Sequence, residues 1–158
     1  MLGRVQMRDV RSLDDVFAFV ESIGSTCVVI FDVDNTLVPQ DAPLTEFGEL
    51  VNAAIDRVEA HPSIARVIPL TNGPQRDVPR LVSRGNKPWT TRRRLGLRGN
   101  RAPVVVVGDQ VLTDGLLGWR LRATFLHLVI DDQKEAPRQA IMRRVGRLLV
   151  GMLFRRSE

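Results

Sequence analysis

Residues 103–109, Pro-Val-Val-Val-Val-Gly-Asp, place four valines in a row with no polar residue among them. Successive side chains of a strand point to opposite faces, so a strand without a polar position is buried on both sides. Strands of that kind belong to parallel sheets whose two faces are covered by helices. Cys27–Phe31, "CVVIF", has the same character, and "ARVIPL" (65–70) and "RATFLHLVI" (122–130) read as further strands.

The intervening segments carry the other period. "SLDDVFAFVESIG" offers Ser12 as an N-cap with Asp15 three residues on, then Leu13, Val16, Phe17, Val20 and Ile23 at helical spacing, and Gly24 as a stop. A second helical pattern opens at Thr45, with Phe47, Leu50, Val51, Ala54, Ile55 and Val58 on one face, and ends before His61-Pro62. "DVPRLVSRG" and "WTTRRRLGL" are expected to be short helices, and the chain from Pro137 a last one. The fold expected is α/β, three layers, with a mainly parallel sheet and no large cap domain. One domain over 1–158 is expected, with a core of about 25–132 and a basic amphipathic helix of about 136–155.

Composition narrows the function classes. The single cysteine, Cys27, has no partner for an internal disulfide and reads as a small buried hydrophobe, which predicts a cytoplasmic protein. His61 and His127 lack metal-ligand spacing, which argues against a zinc site or a serine triad, and Trp89 and Trp119 are expected to be packing residues. No signal-peptide core or membrane-length apolar run stands out. Residues 1–135 balance 17 basic against 17 acidic residues, so the formal +5 lies in the last 23. From Val78 to Gly108 there are eight basic residues and no acid, a segment suited to an anionic partner. Without interleaved aromatics it gives nucleic acid little support.

Ligands of such sheets bind beyond the carboxyl ends of the strands. There the sequence sets Asp32-Val33-Asp34, then Thr71-Asn72-Gly73, then Asp109 with Asp114 five residues on. Carboxylates without histidine or thiol form a hard-oxygen site suited to Mg²⁺. A cation would offset their repulsion and keep one of them ionised as a nucleophile, while Asp34 is placed to give and take protons. Phosphoryl transfer uses such groups: a Thr71 hydroxyl and Asn72 amide for phosphoryl oxygens, and Lys87 as a compact charge.

"DVDNTLV", "LTN", "NKP" and "VGDQVLTD" occur in the order and strand context of the haloacid dehalogenase (HAD) superfamily of magnesium-dependent phosphatases, which the chain resembles from about Cys27 to Ile130. "DNTLVP" and "VGDQ-x-x-TD" are similar to the bacterial YqeG-type, phosphatidylglycerophosphate phosphatase branch. The resemblance implies Asp32 as nucleophile, Asp34 as acid/base, Thr71 as phosphate binder and Lys87 as charge stabiliser. It also implies a magnesium set drawn from Asp32, Asp34, Asp109 and Asp114. The 15 residues between Thr71 and Lys87 are few for a helix plus a strand, so a shortened sheet and an imperfectly placed Lys87 are expected.

With 36 residues between Asp34 and Thr71, neither interval holds a cap domain, and an open site suits a substrate large enough to cover it. The expected activity is phosphomonoester hydrolysis through an aspartyl-phosphate, with the resemblance favouring phosphatidylglycerophosphate at the cytoplasmic membrane face. The alternatives are another soluble or macromolecular phosphate ester, or a noncatalytic RNA- or protein-binding module. In the tail, Ile141, Met142, Val145, Leu148, Leu149, Met152 and Leu153 are expected on one helix face and Arg143, Arg144, Arg147 and Arg155 on the other, allowing peripheral contact with anionic phospholipid.

Overall fold

The structure is a computed structural model and describes residues 4–34, 36–37, 43–71, 79–81, 83–84, 87–129, 145–146 and 148–156, the side chains of Leu44, Ser83 and Arg84 aside. The strands are β1 (Val5–Val10), β2 (Cys27–Asp32), β3 (Ile64–Thr71), β4 (Ser83–Arg84), β5 (Val104–Gly108), β6 (Thr124–Leu128) and β7 (Phe154–Arg156). The helices are α1 (Leu13–Ser22), α2 (Leu44–Glu59) and α3 (Leu116–Leu121), and residues 145–146 and 148–153 are also helical.

All seven strands join one sheet in the order β4-β3-β2-β5-β6-β1-β7, and every neighbouring pair is parallel. From β2 the chain builds outward through β3 to β4, then returns to the far side of β2 and continues from β5 to β6. The order therefore reverses between β2 and β5, and a crevice opens at their carboxyl ends. Phe31 pairs with Val107, which sets Asp32 beside Gly108 at that crevice.

Strand alternation divides the core in two. Val29, Phe31, Val105 and Val107 pack with Val16 and Val20 of α1 and Phe47, Val51 and Ile55 of α2. Val28, Ile30, Val104 and Val106 face the other way, against Leu95, Leu97, Leu117, Leu121 and Phe125, with Val150 and Leu153 packed on them. Helix α1 starts with the expected capping box: the Asp15 amide donates to Ser12 Oγ, and the Ser12 amide donates to Asp15 Oδ2. Gly24 follows the helix at φ +70°, which only glycine adopts without strain.

Several expectations are corrected. "DVPRLVSRG" is not a helix where it is described: 79–80 is a turn and Ser83–Arg84 pairs with β3. "WTTRRRLGL" is a 3₁₀ turn, Lys87–Trp89, followed by further turns. The sheet reaches beyond 25–132 at both ends, because β1 pairs with β6 and β7 pairs with β1. The last helix stops at Leu153, where pairing with β1 takes over, and its start at Pro137 lies outside the described residues. Its apolar residues divide: Leu153 packs inward, whereas Val145, Leu148 and Met152 are exposed. Leu50 of α2 is also exposed, against expectation. Among the described residues no helix is long and apolar enough to cross a membrane.

Candidate active site

Asp32 is the last residue of β2 and continues the Val28–Ile30 stripe, so alternation turns it toward the α3 side of the sheet. Two turns on that side complete the surroundings. Lys87 opens the 3₁₀ turn and is almost fully buried, with its Nζ against Asp32 Oδ1 and 3.2 Å from Asp114 Oδ1. The imperfect placement expected from the short interval is not found. A two-residue β4 uses so little chain that 15 residues suffice.

Asp114 sits in a π turn, Val111–Gly115, between β5 and α3. The widened turn shows in two bonds to one carbonyl: the Asp114 and Gly115 amides donate to Gln110 O at 2.9 and 3.3 Å. Asp114 Oδ2 accepts in return from the Gln110 amide at 3.3 Å. Such bulges recur at functional sites. The carboxylate lies where a side chain at Gly108 would be: a Cβ there would collide with Asp114. Gly108 continues the Val104–Val106 stripe facing α3, so the missing side chain is what admits Asp114 beside Asp32.

Asp32, Asp109 and Asp114 are all buried, and one oxygen from each lies within 4.8 Å of the others. Burial, then the Asp114 charge, push the Asp32 carboxyl up to about 8, against the opposing pull of Lys87. Burial also works against the Lys87 ammonium, but Asp114 and Asp32 together outweigh it and raise its pKa above the ordinary lysine value. Three acids share one ammonium in a buried space, and Asp32 stays protonated there unless a further cation offsets the charge of its neighbours. The all-oxygen donor set fits a hard divalent cation such as Mg²⁺, whose charge would favour the ionised form of Asp32.

Asp34 stands apart from this trio. Its Oδ2 accepts from Thr71 Oγ1 at 2.6 Å, across the ends of β2 and β3. Of the four acids expected around magnesium, Asp32, Asp109 and Asp114 form the group of converging ligand atoms, and Asp34 is hydrogen-bonded to Thr71. Asn72 lies outside the described residues. Two contributors escaped the sequence reading, Gly108 and the Gln110 amide. The glycine before Asp109 was visible, but nothing local says that Asp114 folds back over it. Trp89, expected to be a packing residue, is 62% exposed with the Arg120 guanidinium 4.8 Å above its ring.

Both histidines have structural settings. His61 stacks on Phe17 at 4.7 Å, and His127 Nδ1 lies 2.9 Å from Asp9 Oδ1. Comparison of the chain with family models, with curated proteins and with solved structures finds no match.

Proposed function

We propose that this chain is a magnesium-dependent phosphomonoester hydrolase of the HAD type, working through a phosphorylated Asp32. The observation that carries the reading is the position of Asp32: at the switch point of the sheet, buried, with Lys87 joining it to Asp114. The order of the four sequence motifs supports it, and so does the Asp34–Thr71 pair at the neighbouring strand end.

In the first step an Asp32 oxygen attacks phosphorus in line, and the bond from phosphorus to the leaving oxygen breaks. Asp34, protonated at that stage, delivers its proton to the leaving oxygen, which departs as an alcohol. In the second step Asp34 takes a proton from water as the water oxygen attacks phosphorus. The Asp32–phosphorus bond breaks, inorganic phosphate leaves, and both carboxyl groups return to their starting states. Lys87 lies against the nucleophile and supplies positive charge while negative charge spreads over the phosphoryl oxygens. Held by Asp32, Asp109 and Asp114, Mg²⁺ would supply further positive charge to the same oxygens. Thr71, at the edge of the site, orients Asp34 through its hydroxyl.

Between Asp34 and Thr71 the described residues form only α2 and β3, which supports a site open to large phosphate esters. Turnover of an aryl phosphate with Mg²⁺ is the direct test. Asp32→Asn is expected to reduce it at least about 10³-fold, because a neutral amide is a poor nucleophile. Acid-quenched parent protein should carry one phosphoryl group on Asp32, seen by mass spectrometry. Near-parental turnover by a folded Asp32→Asn chain would overturn the assignment.

A further inference from the structure

The layer that supplies Lys87 and Asp114 has an unusual outer surface. Among its described residues, 87–101, 111–122, 145–146 and 148–156, the one acidic residue is Asp114, which is buried in the site, so no acid is exposed. Leu95, Leu97, Leu117 and Leu121 anchor these segments on the sheet, while Arg93, Arg94, Arg98, Arg120 and Arg122 are exposed. Large apolar side chains accompany them. Trp89 is 62% exposed, Leu148 76%, Met152 70% and Val145 43%. Val145, Leu148 and Met152 follow at i, i+3 and i+7, one stripe of a helix whose Val150 and Leu153 face the core.

The stripe also lies near the site. Gly146, next to Val145, faces Val111 in the π turn that carries Asp114: a Cβ at Gly146 would meet Val111 Cβ at 3.2 Å. On another side, Trp89 ends the turn that begins with Lys87. Exposed apolar groups and arginines, with no exposed acid beside them among the described residues, therefore share the layer from which two site residues come.

We propose that this layer is a docking surface for an anionic lipid bilayer. Arginines complement the negative headgroups of such a surface. Leu148, Met152 and Val145 reach the acyl boundary, and Trp89 under Arg120 has the amphipathic character of interfacial aromatics. A polynucleotide would use the arginines, but bases stack on aromatic faces and Leu148 and Met152 offer none. The proposal goes beyond the catalytic reading and does not depend on it, since docking requires no turnover.

The experiment is flotation of the full chain with vesicles of equal parts phosphatidylglycerol and phosphatidylcholine, against vesicles of phosphatidylcholine alone. The parent is expected to float with the anionic vesicles and to be released as salt rises. Leu148→Gln with Met152→Gln should weaken partitioning by about tenfold or more, since two exposed apolar groups no longer leave water. Arg93→Gln with Arg94→Gln should weaken it and flatten its salt dependence. Trp89 gives a second measurement in the otherwise unaltered chain: vesicles should shift the parent's emission to shorter wavelength, and Trp89→Phe should remove that shift. Three results would overturn the proposal: no partitioning at low salt, partitioning and emission indifferent to the Leu148/Met152 and Trp89 changes, or an RNA oligomer bound in preference to the anionic vesicles. Vesicle binding by a chain without phosphatase activity would leave the docking surface standing and reject the catalytic reading alone.

Discussion

The two helical layers cover one sheet with equally apolar inner faces and opposite outer ones. Helices α1 and α2 carry Asp14, Asp15, Glu21, Glu46, Glu49, Asp56 and Glu59 against a single base, Arg57. Much of that charge is matched: Arg57 reaches Asp14, and Arg80 reaches both Asp56 and Glu59. The opposite layer has exposed arginines and no exposed acid among its described residues. Burial of apolar surface holds either layer on the sheet, so the difference in outer charge concerns what each layer meets. The site follows the same division, because Asp32 points to the α3 side and Lys87 and Asp114 arrive from it.

Gly108→Ala should break the comparison most severely. The added methyl group occupies the place of the Asp114 carboxylate, which must move off Lys87 and the Gln110 amide. Loss of the proposed phosphatase activity by roughly 10²-fold is expected, as for other displacements of about 1 Å near reacting groups. The cost in stability should be only about 1–3 kcal/mol. Val51→Ala in α2, fully buried against the other face, should cost about 2 kcal/mol of stability and less than tenfold in activity. Parallel measurement of turnover and denaturant midpoint checks both. Full activity in Gly108→Ala would show that Asp114 is dispensable, and the site would no longer belong to the α3 layer.

How much of this was legible in the sequence depends on whether a residue's neighbours are local. Strands β2 and β5 announced themselves because burial on both faces removes every polar position, and α1 did so through Ser12 and Asp15. Strand β1 was missed because only Met7 and Val10 of its six residues are buried, leaving no regular alternation. Strand β7 was missed because Phe154 continues the helical spacing of the residues before it, and only pairing with β1 decides otherwise. The strand-end carboxylates could be read one by one. The π turn that folds Asp114 back over Gly108 could not, since it depends on widened backbone bonding with no residue signature. Trp89 was misread for a related reason: the turn from Lys87 to Trp89 buries its first residue and exposes its last.

Next in size is a pH effect confined to metal-free protein. The Asp32 carboxyl, raised from 3.8 to about 8 by burial and Asp114, stays protonated in the folded chain at pH values where the unfolded chain has lost the proton. The folded state thus binds more protons between about pH 4 and 8, and stability must fall as pH rises through that window. Lys87, raised above its ordinary value, contributes stability that is present below about pH 10.5 and so leaves the slope in this window unchanged. Urea midpoints in chelator should decline from pH 5 to pH 8, and millimolar Mg²⁺ should flatten the decline by favouring the ionised trio. Asp32→Asn, which cannot ionise, should lose both the slope and its response to Mg²⁺. A slope that survives in Asp32→Asn would place the titration elsewhere.

The smallest effect tests whether the charge contrast is itself a folding device. Arg57 Nη2 lies 3.0 Å from Asp14 Oδ1 and ties α2 to α1, but the side chains are 59% and 80% exposed. Water and salt screen such a pair, and holding two mobile side chains together offsets part of the attraction. A double-mutant cycle of Asp14→Ala and Arg57→Ala is expected to give a coupling of at most about 0.5 kcal/mol, vanishing in molar salt. Arg57 also covers the Phe17 ring, with its guanidinium 5.8 Å from the centroid, so Arg57→Ala alone should cost more than the cycle assigns to the pair. A coupling near 2 kcal/mol would mean that the acid-rich layer uses its charges to hold itself together. The layer without exposed acids would then differ by lacking a source of stability, and its exposed arginines would be weaker grounds for an anionic partner. A coupling near zero leaves the two outer surfaces distinguished by what they face, which is the premise on which the bilayer reading of the α3 layer stands.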